Sequence, residues 1–208
     1  MKVGLIDYGM GNLLSVSKAL EHLEAQVETV TTPESMGEND ALVLPGVGNF
    51  GDGMRRLDEM ELTEQIKNLV ATGHPFLGIC LGMQLLMERS EEAPGLPGLG
   101  LFKGEVKRFD NAIGLKIPHM GWNTVEPTEN GGKWFDSPPR FFYFVHSFHV
   151  VTENPETTAG TTDYGGQFAS AIARGNILAT QFHPEKSQDD GLALLRKFLE
   201  NARKTSSF

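Results

Sequence analysis

Phe76-Leu77-Gly78-Ile79-Cys80-Leu81-Gly82-Met83-Gln84-Leu85-Leu86-Met87 runs from a short β-favouring apolar stretch straight into apolar residues at helical spacing. Phe76–Ile79 reads as a buried strand, and a helix pattern follows at once through Met83, Leu86 and Met87. Upstream, Leu62, Ile66 and Leu69 mark another helix, with Gly73 and Pro75 as its stop signals. The alternation extends back to the N-terminus. Lys2–Asp7 reads as a strand ending in the turn Tyr8–Gly11, and Asn12 is placed to cap a helix carrying Leu13, Val16, Leu20 and Leu23. Val27–Val30 and Ala41–Leu44 are further strands, the latter stopped by Pro45. Strand and helix in turn imply a mostly parallel α/β sheet with helices on both faces.

The second half has another rhythm. After the turn-rich Ser90–Gly100, short strands are expected at Leu101–Phe109, Trp122–Val125, Phe141–Val145, Phe148–Thr152, Gln167–Ala173 and Ile177–Gln181. They read as an antiparallel meander. A closing helix presents Leu192, Leu195, Phe198 and Leu199 on one face, with Ser187 and Asp190 spaced as a capping box. No linker composition interrupts the chain, so residues 1–208 are expected to form one α/β domain with an antiparallel strand extension.

The 208 residues are enough to bury a sizeable core, and 39% apolar with 22% charged residues is ordinary for a globular protein. A net charge of −9 argues against a nucleic-acid or anionic-membrane surface. A single cysteine excludes an intrachain disulfide framework. The N-terminus lacks the apolar run of a signal peptide, and Phe76–Met87 is too short to span a membrane. These features lead us to expect a cytoplasmic protein. No metal-ligand cluster is visible, so no metal and no cofactor are expected. Gly9-Met10-Gly11 mimics the start of a dinucleotide loop, but position 14 is Leu14 and no acidic residue closes the next strand.

Gly78-Ile79-Cys80-Leu81-Gly82 has the spacing of a nucleophile elbow, with sulfur in place of the serine oxygen. Such a turn strains the central residue and leaves no room for side chains two positions either side, hence the two glycines. The helix N-terminus that follows favours a thiolate at Cys80. Six histidines compete as its base. His22 and His74 are expected at the surface, whereas His119, His146 and His149 stay open. His183 stands out in Phe182-His183-Pro184-Glu185: the proline disfavours helix before it, so His183 and Glu185 are expected to share one side of an extended segment. A carboxylate there can fix the imidazole tautomer and stabilise its protonated form.

The elbow GICLGMQ, the loop Pro45-Gly46-Val47-Gly48 and the late FHPEKS together resemble the class I glutamine amidotransferases, in that family's order and over almost the whole chain. More narrowly, Asp7-Tyr8-Gly9-Met10-Gly11-Asn12, PGVGNFGDGM at 45–54, Pro118-His119-Met120-Gly121-Trp122-Asn123 and Phe144-Val145-His146-Ser147 are similar to the glutaminase subunits of imidazole glycerol phosphate synthases, which serve histidine biosynthesis.

The resemblance implies that Cys80 attacks the glutamine carboxamide to give a glutamyl thioester, that His183 moves protons, and that Glu185 orients His183. It implies oxyanion donors at the N–H of Leu81 and at Val47 or Gly48, and substrate binding by Gly46 of the same loop. Gln84 is implied to contact the glutamine, unless it is an ordinary helix-surface residue. Ser147 and Phe148 are implied to hold the glutamine backbone groups, unless they are only an edge-strand pair. Phe141–Phe144 reads as core. Trp122 and His119 either face a partner or are buried. The partner implied is a cyclase subunit, a (β/α)₈ barrel, in a heterodimer through which ammonia is channelled. Two alternatives are an amidotransferase subunit of another synthase (anthranilate, aminodeoxychorismate or pyridoxal phosphate) and a catalytically silent scaffold.

Overall fold

In the computed structural model, which describes residues 1–110, 114–136 and 138–205, the first half alternates as the sequence leads one to expect. β1 (Lys2–Ile6) leads to α1 (Leu13–His22), where the Asn12 side chain accepts the Ser15 N–H. β2 (Gln26–Val30), the single turn α2 (Pro33–Met36) and β3 (Ala41–Gly46) follow. Then come α3 (Phe50–Glu59), α4 (Leu62–Ala71) and β4 (Phe76–Cys80). α3 is an addition to the sequence reading. Its glycines weaken the helix signal, but Asn49 accepts the N–H groups of both Gly51 and Asp52 and starts the helix.

The helix after Cys80 is shorter than its spacing suggests. α5 spans only Leu81–Leu85, and Met87 already begins β5 (Met87–Ser90). The carbonyls of Leu85 and Leu86, which a longer helix would use, accept the N–H groups of Leu99 and Phe102 instead. A continuous apolar run suits helix and strand alike, and here tertiary pairing decides.

The second half contains β6 (Phe102–Arg108), β7 (His119–Pro127), β8 (Arg140–His146), β9 (Phe148–Thr152), β10 (Thr158–Asp163), β11 (Gln167–Arg174), β12 (Ile177–Thr180) and α6 (Gln188–Thr205). β10, rich in small polar residues, has no counterpart among the expected strands. The capping box at α6 is replaced by another use of Ser187, whose hydroxyl accepts the Tyr143 N–H and donates to the His183 carbonyl.

The main sheet runs β2-β1-β3-β4-β12-β11-β10-β7-β8. Its first five strands are parallel neighbours. From β12 to β8 every pairing is antiparallel. β5, β6 and β9 branch off through β11. The expected meander is thus only part of the answer: β12 is antiparallel to β11 yet parallel to β4, so the chain returns from its excursion into the sheet centre. This return sets the site. The carboxyl ends of β3, β4 and β12 now lie side by side, with Gly46 in register with Cys80 and Thr180 with Ile79. Open α/β sheets bind ligands beyond those ends.

Apolar cores cover both faces. One joins Val3, Leu5, Ile79 and Leu178 to α1 and α6 residues such as Leu20 and Phe198. The other joins Ile6, Leu42, Phe76 and Ile177 to Phe50, Leu57 and Ile66 of the helices opposite. Between them the elbow is fitted without slack. A Cβ on Gly82 would lie 1.9 Å from the Leu44 carbonyl oxygen, and one on Gly78 would lie 3.0 Å from the Gly82 backbone.

Gly82→Ala is therefore expected to cost about 3 kcal/mol, the upper range for overpacking a rigid site. Gly37→Ala, at φ −69° with open space around it, should be neutral or slightly stabilising. Urea unfolding of both variants checks this, and equal midpoints would show that the elbow has room after all.

Candidate active site

Cys80 ends β4 at φ 55°, ψ −108°, a conformation in which a side chain is strained. It lies on the wall of a cavity of about 360 Å³ that is also lined by Val47, Gly48, Leu81, Gln84, Glu92 and the 145–148 segment. α5 has barely more than one turn, so it offers local N–H groups at Leu81 and beyond and little macrodipole.

His183 and Glu185 are not on the cavity wall. They form a pair next to Cys80, with His183 Nδ1 2.8 Å from Glu185 Oε1 and both side chains almost fully buried. The extended segment ends at His183, and Glu185 stands in a short 3-10 turn, Pro184–Lys186. The pair forms nonetheless, because the turn keeps Glu185 within reach of the ring. The segment is anchored by the His183 N–H donating to the Tyr143 carbonyl at 2.9 Å and by Phe182 stacked on Phe142.

Burial alone would lower the His183 pKa. Hydrogen bonding and charge interaction with Cys80 and Glu185 outweigh it and raise the value to about 9. His183 Nε2 has no partner of regular hydrogen-bond geometry, so the contact with the sulfur is a loose one, acting more by charge than by direction. The arrangement favours an imidazolium beside the sulfur at neutral pH.

Of the other expected residues, Val47, Gly48, Leu81, Gln84, Ser147 and Phe148 all line the cavity. Gly48 has φ +114°, which a glycine adopts freely. Gly46 does not reach the wall: it lies behind, where a Cβ would meet the Tyr8 hydroxyl at 2.3 Å and Leu81 at 2.8 Å. Gln84 is no surface residue. It is buried, and its Nε2 donates to the Phe148 carbonyl and to Gln181 Oε1, each at 3.1 Å. Gln181, which the sequence reading passed over, donates from Nε2 to Cys80 Sγ at 3.8 Å. The alternation from which the sequence leads one to expect Glu185 beside His183 also puts Gln181 on that side, and this is the available signal.

The remaining histidines divide sharply. His22 is exposed, but His74 is half-buried rather than at the surface, and burial lowers its pKa. His119 does not face outward. His119 Nδ1 lies 2.9 Å from His146 Nε2, and His146 Nδ1 lies 2.7 Å from the Phe148 carbonyl. A carbonyl only accepts, so His146 carries its proton on Nδ1 and His119 donates to the bare Nε2. His119 Nε2 then accepts from Asn123 Nδ2 at 3.2 Å. These directions hold for neutral rings, and burial keeps both neutral near pH 7. Burial lowers His119 to about 4 and His146 to about 3. Trp122 and Met120, on the same strand, are half-exposed or more, and in the aromatic run Phe142 and Phe144 are core while Phe141 is exposed.

Opposite pH responses follow. His119 and His146 have folded pKa values below their unfolded ones, so the stability they carry is complete above pH 6.5 and is lost as pH falls toward 4. For His119 the gap amounts to roughly 3 kcal/mol. Urea unfolding from pH 7 to 5 should show this loss, and His119→Phe should flatten it. His183, with its raised value, should stay protonated until about pH 9 in an NMR titration. Cys80→Ala, which removes the main raising partner, should bring that midpoint down; an unmoved midpoint would contradict the coupling.

The description "Glutamine amidotransferase class-I" matches residues 4–202. The chain is 51% identical over 201 residues to the imidazole glycerol phosphate synthase subunit HisH of Thermosynechococcus vestitus, covering 95% of each. It is 46% identical over 217 residues to the subunit of that name from Aquifex aeolicus, covering 100% of each. It is also 44% identical to the one from Rhodopirellula baltica, over 94% of this chain and 96% of the relative. Among solved structures, a glutamine amidotransferase superposes with a TM-score of 0.75 at 23% identity, over 97% of this chain and 98% of that one. PurLQS from Thermotoga maritima superposes at 0.76 with 18% identity, over 96% and 98%. Those two bear on fold alone. The profile match and the identities over nearly full length place the chain in the class I glutamine amidotransferase family, on the branch of the imidazole glycerol phosphate synthase subunit HisH.

Proposed function

We propose that this chain is the glutaminase subunit of imidazole glycerol phosphate synthase in histidine biosynthesis, and that it hydrolyses glutamine through Cys80, His183 and Glu185. The observation that carries this reading is the grouping at the elbow: Cys80 lines the cavity and interacts with the His183 ring, which is paired with the buried Glu185. A sulfur lone pair forms the S–C bond to the side-chain carboxamide carbon, and the carbonyl π pair moves onto oxygen. The Leu81 N–H, with that of Val47 or Gly48, receives the oxyanion. Collapse breaks the C–N bond as His183 delivers its proton to the leaving ammonia. His183 then takes a proton from water, whose oxygen attacks the thioester, releases glutamate and returns the pair to sulfur. Glu185 holds the ring for both transfers. Glu92, one oxygen of which accepts the Phe50 N–H at 2.7 Å, presents a carboxylate to the same cavity and suits the α-ammonium group of glutamine. Gln84, Ser147 and Phe148 line its other side.

Ammonia passes, in this reading, to a cyclase partner with a (β/α)₈ barrel. Support comes from exposed apolar side chains: Val47 on the cavity wall, at 42%, and Met120 and Trp122, two apart on β7, at 57% and 48%. Contiguous apolar exposure of the Met120–Trp122 kind marks interaction surfaces. The setting we assign is the cytoplasm; no described helix is long and apolar enough to cross a membrane.

Glutamate release, measured alone and with the cyclase and its ribotide ligand, tests the reading. Cys80→Ala should abolish it while synthesis from added ammonium salt persists. His183→Ala should cost nearly as much, since such residues act as a unit, and Glu185→Gln less. Glutamine-dependent synthesis near wild-type level in Cys80→Ala would overturn the assignment.

The exposed, glycine-flanked Val47 peptide is our candidate for the element through which the partner raises activity. One recovered oxyanion donor is worth about 3 kcal/mol, or roughly 10²-fold. Gly48→Ala, strained at φ +114°, should blunt that activation without preventing association. Unchanged activation would remove Val47 from this role.

A further inference from the structure

We propose that Gln181 is a catalytic residue whose carboxamide N–H holds the Cys80 sulfur in aim and favours its thiolate over its thiol. The inference rests on the glutaminase reading and adds a fourth side chain to it.

Sheet register supplies the neighbour. Thr180 is paired with Ile79, so the residue just past the end of β12, Gln181, falls beside Cys80, while on the other flank the partner in register is Gly46, which has no side chain. Of the two flanking positions only Gln181 can touch the sulfur. It is fully buried, and its Nε2 lies 3.8 Å from Sγ, a fitting separation for a large, soft acceptor.

The direction of the amide is forced. The Phe148 carbonyl only accepts, so the Gln84 atom facing it at 3.1 Å is the NH₂ group. Its second hydrogen goes to Gln181 Oε1, also at 3.1 Å, which turns the Gln181 nitrogen toward Cys80. The Phe148 carbonyl is itself fixed by the His146 Nδ1–H at 2.7 Å.

A donor aimed at sulfur discriminates between protonation states, because hydrogen bonds to an ionised partner are about twice as strong as those to a neutral one. No proton moves onto the amide. When the sulfur pair forms the S–C bond, negative charge leaves for the oxyanion and the N–H contact weakens. When thioester hydrolysis returns the pair to sulfur, the contact re-forms. Gln181 thus assists preparation of the nucleophile and its departure, and leaves glutamine affinity to the cavity walls.

The test uses the full-length chain, with Cys80 alkylation by iodoacetamide near neutral pH and glutamate release measured side by side. Gln181→Met keeps the length and removes the donor. It should lower the alkylation rate and kcat about tenfold each, with KM for glutamine within about twofold and a melting temperature a few degrees lower, because Gln84 loses its acceptor. Gln181→His can accept from Gln84 at Nδ1 and donate from Nε2, and should recover at least part of both rates. Where Gln181→Met does not fold, Gln181→Asn, one methylene too short to reach the sulfur, takes its place. Alkylation and kcat within twofold of wild type in Gln181→Met or Gln181→Asn would overturn the proposal, as would equal impairment of the methionine and histidine variants. Alkylation is read without glutamine, so failure of the glutaminase reading itself would show separately, as absent glutamate release from the wild type.

Discussion

The Leu44 carbonyl passes so close to Gly82 that a single added carbon there would sit 1.9 Å from its oxygen, and this clearance lets the chain turn from β4 into α5 with Cys80 at the bend. Cys80 itself is held at φ 55°, a conformation costing on the order of 1–3 kcal/mol for a residue with a side chain. Such strain persists only where the surroundings over-determine it. Here they do: β4 is an inner strand of the parallel set, paired with β3 on one side and β12 on the other, with an apolar core on each face. The sulfur is presented to the cavity because the backbone has no alternative.

The second determinant is the return of β12 to the sheet centre. Had the late strands formed a self-contained meander, His183 would have no defined relation to Cys80. Insertion beside β4 gives Gln181 and His183 fixed positions next to the sulfur, and the chain then anchors them through Tyr143, Ser187 and Phe142. The residues proposed to carry the chemistry therefore come from two adjacent strand ends and the short turn that follows the second. The residues given the responsive role, Val47 and Gly48, come from the loop after β3, where exposure and a positive φ leave the backbone more freedom.

The sequence declares what is local. The spacing of Gly78, Cys80 and Gly82 marks the elbow because the clash it relieves lies within one turn, and Asn12 marks a helix start because its partner is three residues away. Non-local facts stay hidden. Leu86 and Met87 continue a helical spacing, but pairing of β5 with β6 takes them out of the helix. Ser187 has the spacing of a cap, yet its hydroxyl serves Tyr143 and His183. Gln181 shares a side of the chain with His183, but its importance depends on which strand lies next to β12. It also has no charge to titrate, so a reading that looks for acids and bases passes over it. His119 and His146, equivalent to His183 as letters in the sequence, differ only in what surrounds them.

That difference shows how one fold keeps histidines in opposite states a few strands apart. All three are buried, and burial disfavours the charged ring in each. At His183 a carboxylate and a sulfur, both able to carry negative charge, outweigh that penalty. At His146 the partners are a carbonyl and another imidazole, so the ring stays neutral and serves as a directed hydrogen-bond link. A carbonyl at one end requires the donor at Nδ1, the donor at Nδ1 requires a bare Nε2, and the order continues through His119 to Asn123 on a strand whose other face carries exposed Met120 and Trp122. At its other end the Phe148 carbonyl also receives Gln84, which orients Gln181 against the sulfur. The cavity wall thus has its hydrogen-bond directions set outward from the Phe148 carbonyl, without a charge being buried along the way.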